Sequence, residues 1–152
     1  MIANFHDKAL GAMPDAELVA CYDRSPERAQ AFAAATGCVA YADMDAFLAH
    51  EGLDFVTICT PSGAHLEPAL AAANAGKHVI VEKPVEVTTE KTDQMIKACE
   101  DNGVQLIGIL PRRFNESTRI FKEAIDNGRF GKIVLVDAQV KWWRTQAYYD
   151  SA

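Results

Sequence analysis

No two of the nine glycines in this 152-residue sequence stand in a G-x-G pair. The glycine loop that presents backbone N–H groups to a dinucleotide pyrophosphate therefore has no signature here. The nearest spacing, Gly128-Arg129-Phe130-Gly131, reads as a helix stop and a turn. The four cysteines, Cys21, Cys38, Cys59 and Cys99, form no C-x-x-C pair, so they are read as small buried hydrophobes and no metal site is expected. Free buried thiols suit a reducing cytoplasm. Basic residues are outnumbered 15 to 21, and the resulting charge of −6 argues against a nucleic-acid partner. No apolar run approaches the roughly 18 residues of a membrane span. Residues 1–7 lack the charged and apolar regions of a signal peptide.

What remains is globular composition, 49% hydrophobic and 24% charged. Strand-like and helix-like segments alternate. Glu17 to Asp23 reads as a strand ending in an acid. Ser25-Pro26-Glu27 then opens a helix, with Ser25 as cap and Pro26 at the first position, and Gly37 closes it. Cys38 to Tyr41 is a short strand, and Asp43 caps a short helix. Phe55 to Cys59 and Lys77 to Val81 are almost wholly apolar, as strands covered on both faces are. Between them lie the turn Thr60-Pro61-Ser62-Gly63 and an alanine-rich helix from Ala64 to Ala75. A helix from Thr88 or Thr89 to Asn102 and a strand from Val104 to Leu110 follow. Repeated strand–helix–strand units predict an α/β fold, a Rossmann-like doubly wound parallel sheet.

After Pro111 the rhythm changes. Phe114 to Asn127 reads as an amphipathic helix, and Lys132 to Trp143 as one long strand opening a second, α+β region. The expected division is 1–111, a partial dinucleotide-binding domain, and 112–152, the start of a substrate and oligomerisation domain.

Several residues sit where chemistry belongs. Asp23 ends a strand at the position where dinucleotide-binding folds hydrogen-bond the adenine ribose, and Arg24 follows it. Asp23 favours NAD, while Arg24 keeps NADP open. Alone, each also suits a solvated turn. Thr60, Pro61 and His65 follow the carboxyl end of a buried strand, where open α/β sheets bind ligands. A single histidine at a helix start is more often a cap or surface group than a catalyst. Glu82-Lys83-Pro84 has the same placement on the next strand. Pro84 restricts Lys83 to extended geometry and admits a cis bond. An ammonium there can polarise a carbonyl oxygen or orient a hydroxyl. The bland alternative is an ion pair between Glu82 and Lys83 at the turn.

Together, T-P-x-x-x-H, E-K-P, the helix after it and R-R-F-N resemble the Gfo/Idh/MocA oxidoreductases, across essentially the whole chain. The stretch Arg112 to Ile133 and then W-W-R-T-Q-A-Y-Y-D is similar to the branch holding sugar-nucleotide dehydrogenases. The resemblance implies a nicotinamide-dependent hydride transfer on a sugar, sugar nucleotide or polyol. It assigns Asp23 to the ribose, Thr60, Pro61 and His65 to the cofactor cleft, Glu82 to the nicotinamide side and Lys83 to catalysis facing substrate. Arg113 and Asn115 fall near nicotinamide and substrate, and Arg144 and Tyr148 are weaker substrate contacts. The alternatives are an NAD-assisted hydrolase or epimerase and a non-enzymatic binding or regulatory protein.

In the family a strand and a glycine loop precede the segment matching residues 2–13. The sequence is therefore expected to be an internal piece of a homo-oligomeric parent, binding NAD very weakly or not at all and inactive by itself. With the first, central strand lacking, its neighbours are expected to leave a gap, to pair directly or to borrow a strand.

Overall fold

A computed structural model describes residues 2–150. The chain divides into two compact units, Met1–Ile109 and Leu110–Ala152.

The first unit begins with helix α1 (Ala3–Gly11), which buries no residue completely. Phe5 on it and Met13 beyond its end are exposed, while His6 and Leu10, one turn apart, are half-buried. Strand β1 (Ala20–Tyr22) pairs in parallel with β2 (Val39–Tyr41), and helix α2 (Pro26–Thr36) connects them. The Ser25 hydroxyl accepts the Arg28 N–H at the start of α2, and Gly37 ends it with φ +86°, its N–H donating to Ala33. That left-handed turn is open to glycine without a Cβ penalty. Helix α3 (Met44–Leu48) is capped by the Asp43 carboxylate, which accepts from Ala46.

A second sheet runs β3 (Phe55–Ile58), β4 (His78–Val81), β5 (Leu106–Gly108), all parallel. Helix α4 (Leu66–Asn74) joins β3 to β4, and α5 (Thr89–Asp101) joins β4 to β5. Alanines on α4, Ala69, Ala72 and Ala73, are buried, and they let α4 lie close against β3, β4 and α5.

The doubly wound α/β reading holds, and the structure adds where the sheet is interrupted. Among the described residues β1 pairs only with β2, and β3 only with β4, so of the outcomes expected the two strands do not pair directly and a gap stands between them. What joins the two sheets is apolar packing. Ala20, Phe47, Leu48, Leu53, Val56 and Ile58 belong to one cluster with Val79, Val81, Met95 and Cys99. Phe47 of α3 packs on the β1–β2 sheet, its ring meeting both Tyr22 and Tyr41 at about 6 Å.

The second unit holds a 3-10 turn (Pro111–Phe114), helix α6 (Glu116–Asp126) and a short helix α7 (Gln146–Asp150) that the sequence reading did not anticipate. The predicted strand Lys132–Trp143 does not form; the segment has no assigned secondary structure. A strand requires a neighbour to receive its N–H and C=O groups, and no described segment supplies one. Of its apolar side chains, Val134, Leu135 and Trp143 are more than four-fifths exposed. Within this unit Phe121 packs on Phe130, and the Arg112 and Arg144 guanidiniums lie about 5 Å from the Trp142 ring centroid.

Candidate functional site

The carboxyl ends of β3 and β4 are neighbours in register, Ile58 opposite Val81. The turns that leave them, Thr60–Ala64 and Glu82–Val87, are therefore brought together. The Thr60 hydroxyl donates to the Ala64 carbonyl at 2.9 Å, and Ala64 N–H donates to Pro61. Gly63 has φ +85°, and a Cβ there would meet Val87 at 3.4 Å, so glycine serves both the backbone and the close approach. Pro61 is exposed.

Glu82 is buried to 7% exposure. One carboxylate oxygen meets His6 Nε2 of α1 at 3.1 Å, and the other accepts the Lys83 backbone N–H at 3.1 Å. The Lys83–Pro84 peptide is cis. Lys83 itself is exposed, and among the described residues its ammonium makes no ion pair or hydrogen bond. The Glu82–Lys83 turn ion pair considered above is thus not present: Glu82 is spent on His6 and on the backbone, and Lys83 is left available.

His65 lies below this surface, 1% exposed at the N-cap of α4. Its ring does not cap its own helix. Nδ1 lies 2.9 Å from the Pro84 carbonyl and 3.1 Å from that of Val85, and Nε2 lies 3.0 Å from the Thr60 carbonyl. Every ring nitrogen is engaged by backbone, so His65 has none left to offer a ligand. The cap comes from Glu86, whose carboxylate accepts the His65 and Leu66 N–H groups at 3.1 and 3.0 Å and that of Val87 at 2.7 Å. Sequence reading passed over Glu86, although an acid flanked by two valines in P-V-E-V-T-T was a usable signal.

Burial by itself would raise the Glu86 carboxyl, but its three backbone donors, with Lys91 nearby, outweigh that and hold it below its ordinary value of 4.5. A carboxyl depressed on folding stabilises the fold fully above its ordinary value, and the contribution disappears as pH falls towards the depressed one. Glu86→Gln should therefore destabilise the protein near neutrality, with the deficit shrinking as pH drops below 4.5. Urea titrations of both proteins across that range check this; a constant deficit would mean that the charge of Glu86 is irrelevant.

Asp23 lies at the end of β1, in the other sheet. Its carboxylate is already engaged: Arg28 Nε donates to its two oxygens at 3.1 and 3.2 Å, Arg28 Nη2 at 2.8 Å and the Ser25 N–H at 2.8 Å. Burial would raise this carboxyl, yet Arg28, the Ser25 N–H and Arg24 together lower it. Arg24 is exposed. No sequence signal had singled out Arg28, which lies one helical turn into α2. Arg113 and Asn115 belong to the second unit, in and just after its 3-10 turn, with Asn115 at the start of α6. Arg144 lies about 5 Å from the Tyr148 ring centroid there.

All four cysteines are free thiols. Burial, with Cys38 beside it, pushes Cys21 up to about 12, and burial pushes Cys59 up to about 11. Such thiols stay protonated and make poor nucleophiles. Among the described residues no cluster of three or more metal-ligating side chains occurs, and no helix is long and apolar enough to cross a membrane.

The chain is similar to several known proteins. Residues 1–109 match the Gfo/Idh/MocA family model, described as an oxidoreductase family with an NAD-binding Rossmann fold. An inositol 2-dehydrogenase of Rhizobium meliloti is 36% identical over 89% of this chain and 41% of its own length. A 2,7-anhydro-N-acetylneuraminate hydratase of Mediterraneibacter gnavus is 30% identical over 86% of this chain and 34% of its own. The WlbA dehydrogenase of Bordetella pertussis, solved in complex with NADH and UDP-GlcNAcA, superposes with a TM-score of 0.93 at 40% identity, over 99% of this chain and 44% of that one. The chain thus spans less than half the length of each of these relatives.

Proposed function

The chain belongs to the Gfo/Idh/MocA family of oxidoreductases, whose NAD-binding Rossmann region its residues 1–109 match, and from that membership we propose that it is part of a nicotinamide-dependent dehydrogenase acting on a sugar, sugar nucleotide or polyol. One observation carries the reading. At the carboxyl end of β4 an exposed lysine ammonium stands without a partner among the described residues, next to a carboxylate already engaged elsewhere.

The donor set suits the two ends of a dinucleotide. Asp23 offers a carboxylate to ribose hydroxyls, exchanging one or more of its Arg28 bonds to do so, with Arg24 beside it. Thr60, Pro61 and Glu82 border the nicotinamide side, and His65 holds that border from below. NAD, when bound, supplies the hydride acceptor. Lys83 would face the substrate hydroxyl, its positive charge stabilising the oxygen as the O–H proton passes to water and the hydride leaves the adjoining carbon for the nicotinamide. Arg113 and Asn115 are assigned to nicotinamide and substrate, and Arg144 and Tyr148 to more distant substrate contacts. Free thiols support a cytoplasmic setting, and a homo-oligomeric parent accompanies this reading. The hydratase relative favours one second reading, in which oxidation and reduction both occur within a turnover.

The test exchanges residues 1–150 into the matching segment of the WlbA dehydrogenase and supplies UDP-sugar acids, inositols and free sugars with NAD or NADP. Net formation of reduced nicotinamide is expected, with NAD preferred. Product without net reduction would select the second reading. A folded, NAD-binding chimera that forms neither would overturn both.

A further inference from the structure

His65 is one of the most deeply buried side chains of the protein, yet it presents a polar nitrogen at each end of its ring. Three backbone carbonyls face those nitrogens within 3.1 Å, those of Pro84 and Val85 at Nδ1 and that of Thr60 at Nε2. Carbonyl oxygens only accept. A neutral imidazole carries one N–H and one lone pair, so in either tautomer a lone pair would press against a carbonyl oxygen. Only a ring protonated on both nitrogens donates in both directions. A charge buried this far needs compensation, which the three carbonyl dipoles at the ring supply; among the described residues no carboxylate lies within ion-pair distance of it. Glu86, also buried, accepts the backbone N–H of His65 itself. The other charged groups on the surrounding segments are Glu82 and Lys83 in the turn, Glu67 in the first turn of α4, and Lys91 near Glu86.

We propose that His65, as a buried imidazolium, is a positioning residue that locks the Thr60 turn and the Lys83 turn into one rigid body, with Glu86 closing the lock from the opposite side. The two contacts are reciprocal. The His65 ring, fixed to α4, grips the carbonyls of residues 84 and 85. Glu86, fixed to that same turn, grips the N–H groups that start α4. The Nε2 bond to Thr60 extends the lock to the turn after β3. Lys83 directly precedes the gripped segment, so its backbone is held while its side chain stays free to act. The choice of Lys83 as the group being positioned rests on the functional reading above; the lock itself does not.

The experiment uses the full 152-residue chain labelled with 15N. Long-range proton–nitrogen spectra of the four histidine rings should show, at neutral pH, one ring protonated on both nitrogens that disappears in His65→Asn. A His65 ring carrying one bare nitrogen would overturn the proposal. Amide hydrogen exchange supplies the second readout. In His65→Asn and in Glu86→Gln, the hydrogen-bonded amides of Ala64 and Lys83, one in each turn, should exchange together, by about tenfold faster, as for one lost buried hydrogen bond. Val79 and Val81 in β4 should keep their protection. Acceleration confined to one turn would also overturn it. If His65→Asn does not fold, the wild-type ring spectrum, assigned through backbone connectivity, and Glu86→Gln decide the matter. Normal turnover in a Lys83→Ala chimera would sink the catalytic reading, yet leave the ring signature and the coupled turns in place.

Discussion

Lys83→Ala should lower kcat by about 10² to 10³ in a catalytically competent chimera, while NAD affinity changes little. The magnitude follows from removing one preorganised charge that stabilises a developing oxyanion. The selectivity follows from geometry: the ammonium has no partner among the described residues and so supports no element of the fold. Its backbone N–H, bonded to Glu82, is untouched by the substitution. Lys83→Arg should not restore activity, because a guanidinium is larger and planar and spreads its charge away from the point where the compact ammonium holds it. Steady-state kinetics, paired with cofactor affinity measured separately by calorimetry, check this. Near-normal kcat in Lys83→Ala would remove the main support for a dehydrogenase role.

Met95→Ala should cost about 2–5 kcal/mol of unfolding free energy, the range for truncating a buried methionine that leaves a cavity. Met95 is completely inaccessible on α5 and sits in the apolar cluster with Val79, Val81 and Cys99. Here the loss weighs more than it would in a continuous sheet. Among the described residues no hydrogen-bonded strand pair joins β1 to β3, and this apolar cluster holds residues of both sheets. A domain stable by about 5–15 kcal/mol could lose a third of its margin or more. Met95→Leu, which conserves volume, should cost less than about 1.5 kcal/mol. Urea unfolding followed by tryptophan-independent circular dichroism measures both. A deficit for Met95→Ala no larger than that for Met95→Leu would show that the cluster collapses around the gap, and that the sheets are held otherwise.

The elements that could be read in advance share a physical basis. Ser25, Asp43 and Thr88 each accept an N–H from the first turn of the following helix. Those bonds span three residues, so residue type and spacing suffice to predict them. The apolar runs that became β3 and β4 were legible because a strand covered on both faces has no polar alternation to confuse it. Lys83 was legible as a candidate because a lysine beside a proline at a strand end has little structural purpose.

The candidate site was only half legible, for the opposite reason. Arg28 on Asp23 and His6 on Glu82 are contacts whose partners carry no mark of one another; the second pair spans 76 residues. His65 looked like a helix-start residue and became a buried brace, since its fate depended on a turn 20 residues away. The segment 132–143 has the composition of a strand, yet a strand is a property of two segments and not of one.

By itself, then, the sequence determined the alternation of parallel strands and helices, the helix caps, and the placing of Lys83 beyond β4, because each depends on neighbours a few residues apart or on one apolar period. Only the tertiary structure decided that the sheet is split between β1 and β3, that Glu82 serves His6 in place of Lys83, and that His65 and Glu86 clasp two turns together. Those outcomes rest on hydrogen bonds between residues distant in the chain, whose formation is governed by which backbone groups the fold leaves buried and in want of a partner.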